Sequence, residues 1–349
     1  MEVDVAVVGG GPAGCSTAIT LLSKGYSVAV IASTRHIERP TETAPPSLKQ
    51  LLRPIHAEEA LSACEPCFGI CSNWGRDFHS IQPSVVDPQG HAWFIHRARF
   101  DRSLRDITCR AGAAWISAHV LEALFRADGV SLATTDVSVR ARWLILASGS
   151  PHSSARFTRE EALQIDSMIG YWASVDMPLK ERLLSVESAE YGWWYSCPND
   201  ANGTVICLVT DVRSSRLHRI SQVAAWNKLF QATALAARLG HQSASAAIRS
   251  LPIGLTTLPL RYASRWVAVG DAAMRLDPLG SSGTTIALDS GRRAGLAIDE
   301  AMQAHEPVRL KRYARWSTCL FEDFMRQRDR QYAREHLRRT GAFWARRRA

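Results

Sequence analysis

A chain of 349 residues with a formal charge of +9, 46% hydrophobic and 21% charged residues has room for one large α/β domain with a smaller inserted one, or for two domains of ~150 residues each. The composition excludes fibrous and disordered classes. No apolar run approaches the ~18 residues of a membrane span, and Met1 leads into a strand without a basic, apolar export signal, so a cytoplasmic protein with no membrane partner is expected.

Val3, Val5, Val7 and Val8 form a short buried-strand pattern that ends in Gly9-Gly10-Gly11-Pro12-Ala13-Gly14, after which Thr17, Ala18, Leu21 and Leu22 continue at helical spacing. This is strand, turn, helix. Gly9 permits the tight turn, Gly11 lets a pyrophosphate approach the backbone, and Gly14 lets the helix pack on the strand. The helix N-terminus, with Pro12 and Ala13, offers its dipole and free N–H groups to phosphate. Gly25 and a second strand, Val28 to Ile31, follow at βαβ distance. The acid that usually ends this strand and holds the ribose is replaced by Ala32, which leaves Ser33, Thr34 or Arg35 for that task. The loop alone leaves NAD or NADP open, since Arg35 suits a 2′-phosphate.

Further along lie a Pro-bounded loop, Thr41 to Pro46, and the spacing Cys64, Cys67, Cys71. No second CxxC or HxxxH unit follows, so no metal is expected, and eight scattered cysteines in a chain without an export signal favour free thiols. Arg97 to Leu104 and Leu144 to Gly149 resemble two pieces of the flavoprotein hydroxylases and halogenases, an arginine-led helix start and a strand ending in a turn, both beside the cofactor. Ile169 to Asp211 alternates as strands of a substrate-side sheet, while Ser221 to Leu239 reads as one helix. Trp266 to Val269 is a strand leading into Gly270-Asp271, a loop from Asp277 to Gly283, and a helix from Thr284. From Arg309 onward thirteen Lys or Arg face four Asp or Glu, so the tail holds the whole charge excess. Its aromatic and apolar residues recur at helical intervals, which suits helices docked on the body and makes no nucleic-acid partner expected.

The stretch from Trp266 to Ala294 resembles the flavoprotein hydroxylases and halogenases. The resemblance implies an α/β fold with an FAD-binding Rossmann-like domain, an inserted β-sheet substrate domain and C-terminal helices. The FAD domain is then discontinuous (1–50, 93–150 and 251–304), with a substrate domain at 51–92 and 151–250 and basic helices at 305–349. In that family the Gly-Asp pair contacts the ribityl chain and the next loop passes beside the isoalloxazine ring. The expected FAD contacts are therefore Gly9, Gly11, Pro12, Ala13, Gly14, Ser33, Arg97, Gly270, Asp271, Pro278, Gly280, Ser281, Ser282, Gly283 and Thr284. A helix starting near Gly283 would aim its positive end at the pyrimidine side of the ring, where charge appears on reduction.

Thr41 to Pro46, Gly69-Ile70 with Asn73-Trp74-Gly75, Gly90 through Trp93 to Arg97, and Phe343 to Arg348 are similar to two related groups. These are the flavin-dependent tryptophan halogenases and the monooxygenases of tryptophylquinone maturation, encoded beside lysine ε-oxidase, glycine oxidase or quinohemoprotein amine dehydrogenase. Halogenases relay hypohalous acid through a lysine, yet none lies between Lys49 and Lys180, and Gly280 stands where several carry glutamate. The resemblance thus implies hydroxylation, through a flavin C4a-hydroperoxide formed from molecular oxygen, of a tryptophan in the precursor of a quinoprotein oxidase or dehydrogenase. NAD(P)H or a separate flavin reductase is the implied electron source. Glu42 is the expected base, with Asp277 and His96 as weaker candidates, and Trp74, Trp193 and Tyr195 are the expected pocket. The competing readings are a small-molecule hydroxylase or halogenase and a flavin-binding assembly factor without turnover.

Overall fold

The structure, a computed structural model, describes residues 1–33, 39–75, 80–84, 87–179, 181–244, 247–304 and 308–348. An eight-stranded sheet carries the nucleotide end of the molecule. Its parallel centre comprises β1 (Glu2–Val8), β2 (Val28–Ile31), β8 (Ala114–Ile116), β11 (Ser138–Leu146) and β20 (Trp266–Ala268), in the order β20-β11-β1-β2-β8. β19 (Tyr262–Ala263) and the meander β9 (Val120–Arg126) and β10 (Gly129–Thr134) pair antiparallel to it. Continuous apolar runs such as Val5 to Val8 and Val28 to Ile31 are buried throughout, as strands covered on both faces must be.

Two helices cross at the switch in this sheet. α1 (Pro12–Leu22) and α8 (Gly283–Ala304) approach closely because small residues face each other. A Cβ on Gly291 would overlap the carbonyl of Ala13, and one on Gly295 would lie 2.9 Å from Thr20. The gap is closed by hydroxyls: Ser16 donates to Leu288 O (2.7 Å) and Thr17 to Gly291 O (3.1 Å). α3 (Arg97–Arg110) and α2 (Leu48–Leu52) complete this side. Residues 51–63, grouped by sequence with the substrate domain, place Leu52, Ile55, Ala60 and Ala63 in one core with Cys15 and Ile19 of α1 and Phe100 and Leu104 of α3.

A small sheet of β3 (Glu42–Ala44), β7 (Ala92–Ile95) and β4 (Cys64–Cys67) leads to the second large sheet. That sheet contains β5 (Gly69–Asn73), β6 (Ser80–Pro83), β13 (Met168–Val175), β14 (Leu184–Ala189), β15 (Gly192–Pro198), β16 (Thr204–Asp211) and β17 (Arg249–Pro252), in the order β17-β13-β16-β15-β14-β5-β6. A third sheet holds β12 (Leu163–Asp166), β18 (Leu255–Thr257) and β21 (Met274–Arg275), and α4 (Pro151–Thr158) follows β11.

The single helix expected over Ser221 to Leu239 is broken. α5 (Val212–His218) precedes α6 (Val223–Gln231) and α7 (Ala234–Arg238). Thr233 adopts extended backbone and its hydroxyl accepts from Ala236 N, so it starts a new helix rather than continuing one. Glu187 on β14 accepts from Ala234 N and Leu235 N, which satisfies the remaining free donors from another element. The tail forms α9 (Val308–Ala333) and α10 (Ala342–Ala345), whose Trp344 donates to Ala189 O at 2.7 Å on β14.

Candidate active site

At the β1–α1 turn the glycines meet two kinds of requirement. Gly9 has φ +118°, and a Cβ there would overlap the Ala147 carbonyl. A Cβ on Gly14 would overlap the carbonyl of Gly9, while nothing lies within 4 Å of one on Gly11. Gly9 and Gly14 are therefore fixed by backbone packing, and Gly11 by space left open for a ligand. Gly11 is also the N-cap of α1 and makes no side-chain cap, so the first N–H groups of the helix face that space. The second loop joins this one: Gly270, at φ +55°, follows β20, and a Cβ there would lie 2.8 Å from the Cβ of Ala13.

Asp271 accepts no hydrogen bond from any described residue. Burial raises its pKa, against the pull of Arg275 and Arg39. A half-buried carboxylate without donors fits the hydroxyls of a ribityl chain. Ser33, at the end of β2, is exposed and lies 3.0 Å from His119 Nε2. Thr34 and Arg35, the other ribose candidates, lie outside the described residues. These are groups that would hold an FAD: the open turn its pyrophosphate, Asp271 its ribityl hydroxyls, and the positive N-terminal end of α8 its ring.

Arg97, buried at the start of α3, joins the flavin end to β3. Its Nη1 donates to Glu42 Oε1 (2.7 Å), and its Nε and Nη2 donate to Asp101 (3.2 and 3.0 Å). Thr284 donates to Glu42 Oε2 at 3.2 Å. Burial pushes the Glu42 carboxyl up, but Arg97 and Arg39 pull it down further, and it ends below the ordinary carboxylate value. Arg97 carries its charge at every working pH, since Glu42 and Asp101 outweigh the cost of its burial. The result is a fixed anion beside a fixed cation. Thr43 donates to Ser281 Oγ (2.7 Å), which ties β3 to the tip of the loop.

Beyond that loop lies a cavity of about 900 Å³. Its floor is Thr43 to Pro46 with Leu279, Gly280 and Ser281; its walls are β5, β6 and the α9 residues Phe324, Gln327, Arg328, Arg330, Gln331 and Arg334. Trp74 lines it. Trp193 and Tyr195 do not: Trp193 is fully buried, with its indole N–H on Tyr332 Oη (3.1 Å), and the half-buried Tyr195 lies 6.0 Å from it between ring centroids. Burial, then the neighbouring thiols of Cys207 and Cys197, raise Tyr195 well above the usual phenol value. The tail closes the aromatic cluster, since Tyr332 and Trp344 meet Trp74 edge-on at 5.9 and 5.5 Å.

The two weaker base candidates are both engaged elsewhere. Asp277 is buried and accepts from Leu279 N (3.0 Å), Arg328 Nε (2.9 Å) and Tyr332 Oη (2.8 Å). His96 bridges Glu65 and Asp200, each 2.8 Å from one ring nitrogen. Sequence reasoning missed Arg39, 3.9 Å from Glu42, and Arg275, which donates to Gly149 O at 2.6 Å. Neither sits in a motif, and only folding brings them to Asp271.

With a glycine cradle at the β1–α1 turn and Asp271 in the loop beside it, the chain is an FAD-dependent oxidoreductase with the fold of the flavin monooxygenases and halogenases. Residues 3–175 match the family model described as pyridine nucleotide-disulphide oxidoreductase. The chain is 24% identical over 362 residues to LodB of Marinomonas mediterranea, described as an FAD-dependent oxidoreductase, covering 99% of this chain and 97% of that protein. Among solved structures it is similar to the flavin-dependent halogenase CmlS, with a TM-score of 0.89, 22% identity and coverage of 100% of this chain and 68% of the other. It is also similar to the peptidyl tryptophan dihydroxylase QhpG, essential for tryptophylquinone cofactor biogenesis, with a TM-score of 0.77, 24% identity and coverage of 100% and 79%. No described helix is long and apolar enough to cross a membrane.

Proposed function

We propose that this chain hydroxylates a tryptophan side chain in a partner polypeptide, as a step in maturing a tryptophylquinone enzyme. Bound FAD, once reduced by NAD(P)H or a separate flavin reductase, supplies the activation of molecular oxygen. The observation that carries the substrate reading is the cavity: it runs from the flavin-facing loop to the surface between β6 and α9, and among the described residues no lysine lines it. A halogen relay needs such an amine, whereas ring hydroxylation needs an electron-rich indole held close to the cofactor with water excluded. The likeness to LodB along nearly all of both chains supports FAD-dependent redox chemistry, and the fold shared with the peptidyl tryptophan dihydroxylase QhpG supports the polypeptide substrate.

In this proposal Trp74 lends the cavity an aromatic edge for the incoming ring. Trp193 and Tyr195 act behind that wall, by holding it. Glu42 is an orienting carboxylate more than a base: its low pKa makes it a weak proton acceptor, and both its oxygens are already occupied by Arg97 and Thr284.

The test is to co-express a quinoprotein precursor with and without this chain and to weigh the precursor. Addition of oxygen mass to one tryptophan, located by fragmentation, is the expected result. Oxidation of free indole or tryptophan with none on the polypeptide would replace the protein substrate by a small molecule.

A further inference from the structure

We infer that Arg328 and Tyr332, on α9, are positioning residues for the flavin-facing loop and act through the buried carboxylate of Asp277. This rests on the FAD site and not on the choice of substrate.

The loop from Asp277 to Gly283 has little structure of its own. Pro278 to Gly280 form one 3₁₀ turn, and Ser281 sits at φ +48°, a conformation that a non-glycine residue rarely adopts unaided. Two anchors hold it. The tip is fixed by the hydroxyl pair of Thr43 and Ser281, and the N-terminal end by Asp277, whose side chain is 0% exposed. Two of the three donors to Asp277 come from α9, more than fifty residues away. The same helix packs on the loop directly, with Phe324 Cε2 3.0 Å from the place a Cβ on Gly280 would occupy.

α9 is itself held by an ion-pair chain. Arg328 also pairs with Asp166, to which Arg347 donates at 2.6 and 2.8 Å; Arg347 reaches Asp211 at 3.3 Å, and Arg346 pairs with Asp211. A buried carboxylate is costly to leave without its partners. Arg328 remains a cation because Asp277, Tyr332 and Asp166 together outweigh the cost of burial, and burial, with Asp277 beside it, keeps the Tyr332 phenol neutral and donating. Arg346 and Arg347 dock the tail without touching the loop; Arg328 and Tyr332 do both. That division separates positioning from plain stability.

The test compares FAD-loaded Y332F, R328Q and R346Q with wild type. Y332F keeps the ring while removing one donor to Asp277, along with the acceptor of the Trp193 indole N–H, so it reports even where R328Q fails to fold. The readouts are the Kd for FAD, the visible absorption band and midpoint potential of the bound flavin, and Tm. Y332F is expected to weaken FAD binding by about three- to tenfold and to shift the band and the potential. R346Q is expected to lower Tm and leave the flavin properties at wild-type values. If R346Q perturbs the flavin as much as Y332F at equal loss of Tm, or if Y332F leaves the flavin unchanged, the proposal is overturned. A wild-type chain that takes up no FAD would overturn both this inference and the flavin assignment.

Discussion

Arg97 and Glu42 meet at 2.7 Å, fifty-five residues apart in sequence, at the point where the FAD domain faces the cavity. Glu42 is held below its ordinary pKa in the fold, so the stability it contributes is fully present above the unfolded value, near 4.5, and is lost as pH falls through the folded pKa. Glu42→Gln should therefore cost on the order of 1 kcal/mol at pH 7, with a gap to wild type that closes in acid below about pH 4.5. Urea unfolding at pH 7 and pH 4 measures it. Turnover between pH 6 and pH 9 should show no ionisation of Glu42; an acidic limb in the wild-type profile that vanishes in Glu42→Gln would restore it as the base.

Gly11 and Gly14 of the first turn should fail differently. Gly11→Val places a side chain in open space, so it should block the pyrophosphate and abolish FAD retention while changing the stability of the apo chain by no more than ~0.5 kcal/mol. Gly14→Ala drives a methyl into the carbonyl of Gly9 and should destabilise the fold itself. Flavin content and thermal unfolding of the apo proteins separate the two. Equal destabilisation by both would contradict the open cradle at Gly11.

Asp277→Ala leaves Tyr332 without its acceptor and takes one of two main carboxylate partners from a buried guanidinium. Removing one member of a buried pair costs ~3–5 kcal/mol, so this variant should unfold at markedly lower denaturant concentration. Asp277→Asn keeps a side-chain acceptor and should lose less. An Ala variant as stable as wild type would show that the tail docks independently of the loop.

The parts that could be read in sequence are local. Gly9 to Gly14, with its flanking strand and helix, folds within about twenty residues, and Gly270-Asp271 likewise sits directly after a strand. Arg39, Arg275 and Tyr332 carry no local pattern, and their roles arise from contacts that the sheet order creates. Tyr332 reads in sequence only as one more aromatic on a helix face, because nothing there says that the face will cover Asp277. Trp193 and Tyr195 show the opposite failure: a motif likeness pointed to the pocket, and strand alternation does put both on the face of Trp74, but Trp74 and Tyr332 of the tail pack over Trp193. The break at Thr233 was hidden by Ala-rich surroundings that favour helix on both sides, and cap geometry decided it.

Thiol chemistry gives a test of packing that needs no activity. Cys109 and Cys319 are exposed, whereas the other six cysteines are buried or half-buried. Burial pushes Cys15, Cys64 and Cys207 up to about 12, and Cys67, Cys71 and Cys197 are also raised by desolvation. The thiolate is the reactive form, so at pH 8 these six are both shielded and protonated. Native protein should therefore react with a small disulfide reagent at Cys109 and Cys319 and should release the remaining six thiols only on unfolding. Peptide mapping after alkylation identifies which have reacted. Rapid native labelling of Cys197 or Cys207 would mean that the sheet behind the cavity opens, and the packed arrangement of Trp193 and Tyr195 would then be wrong.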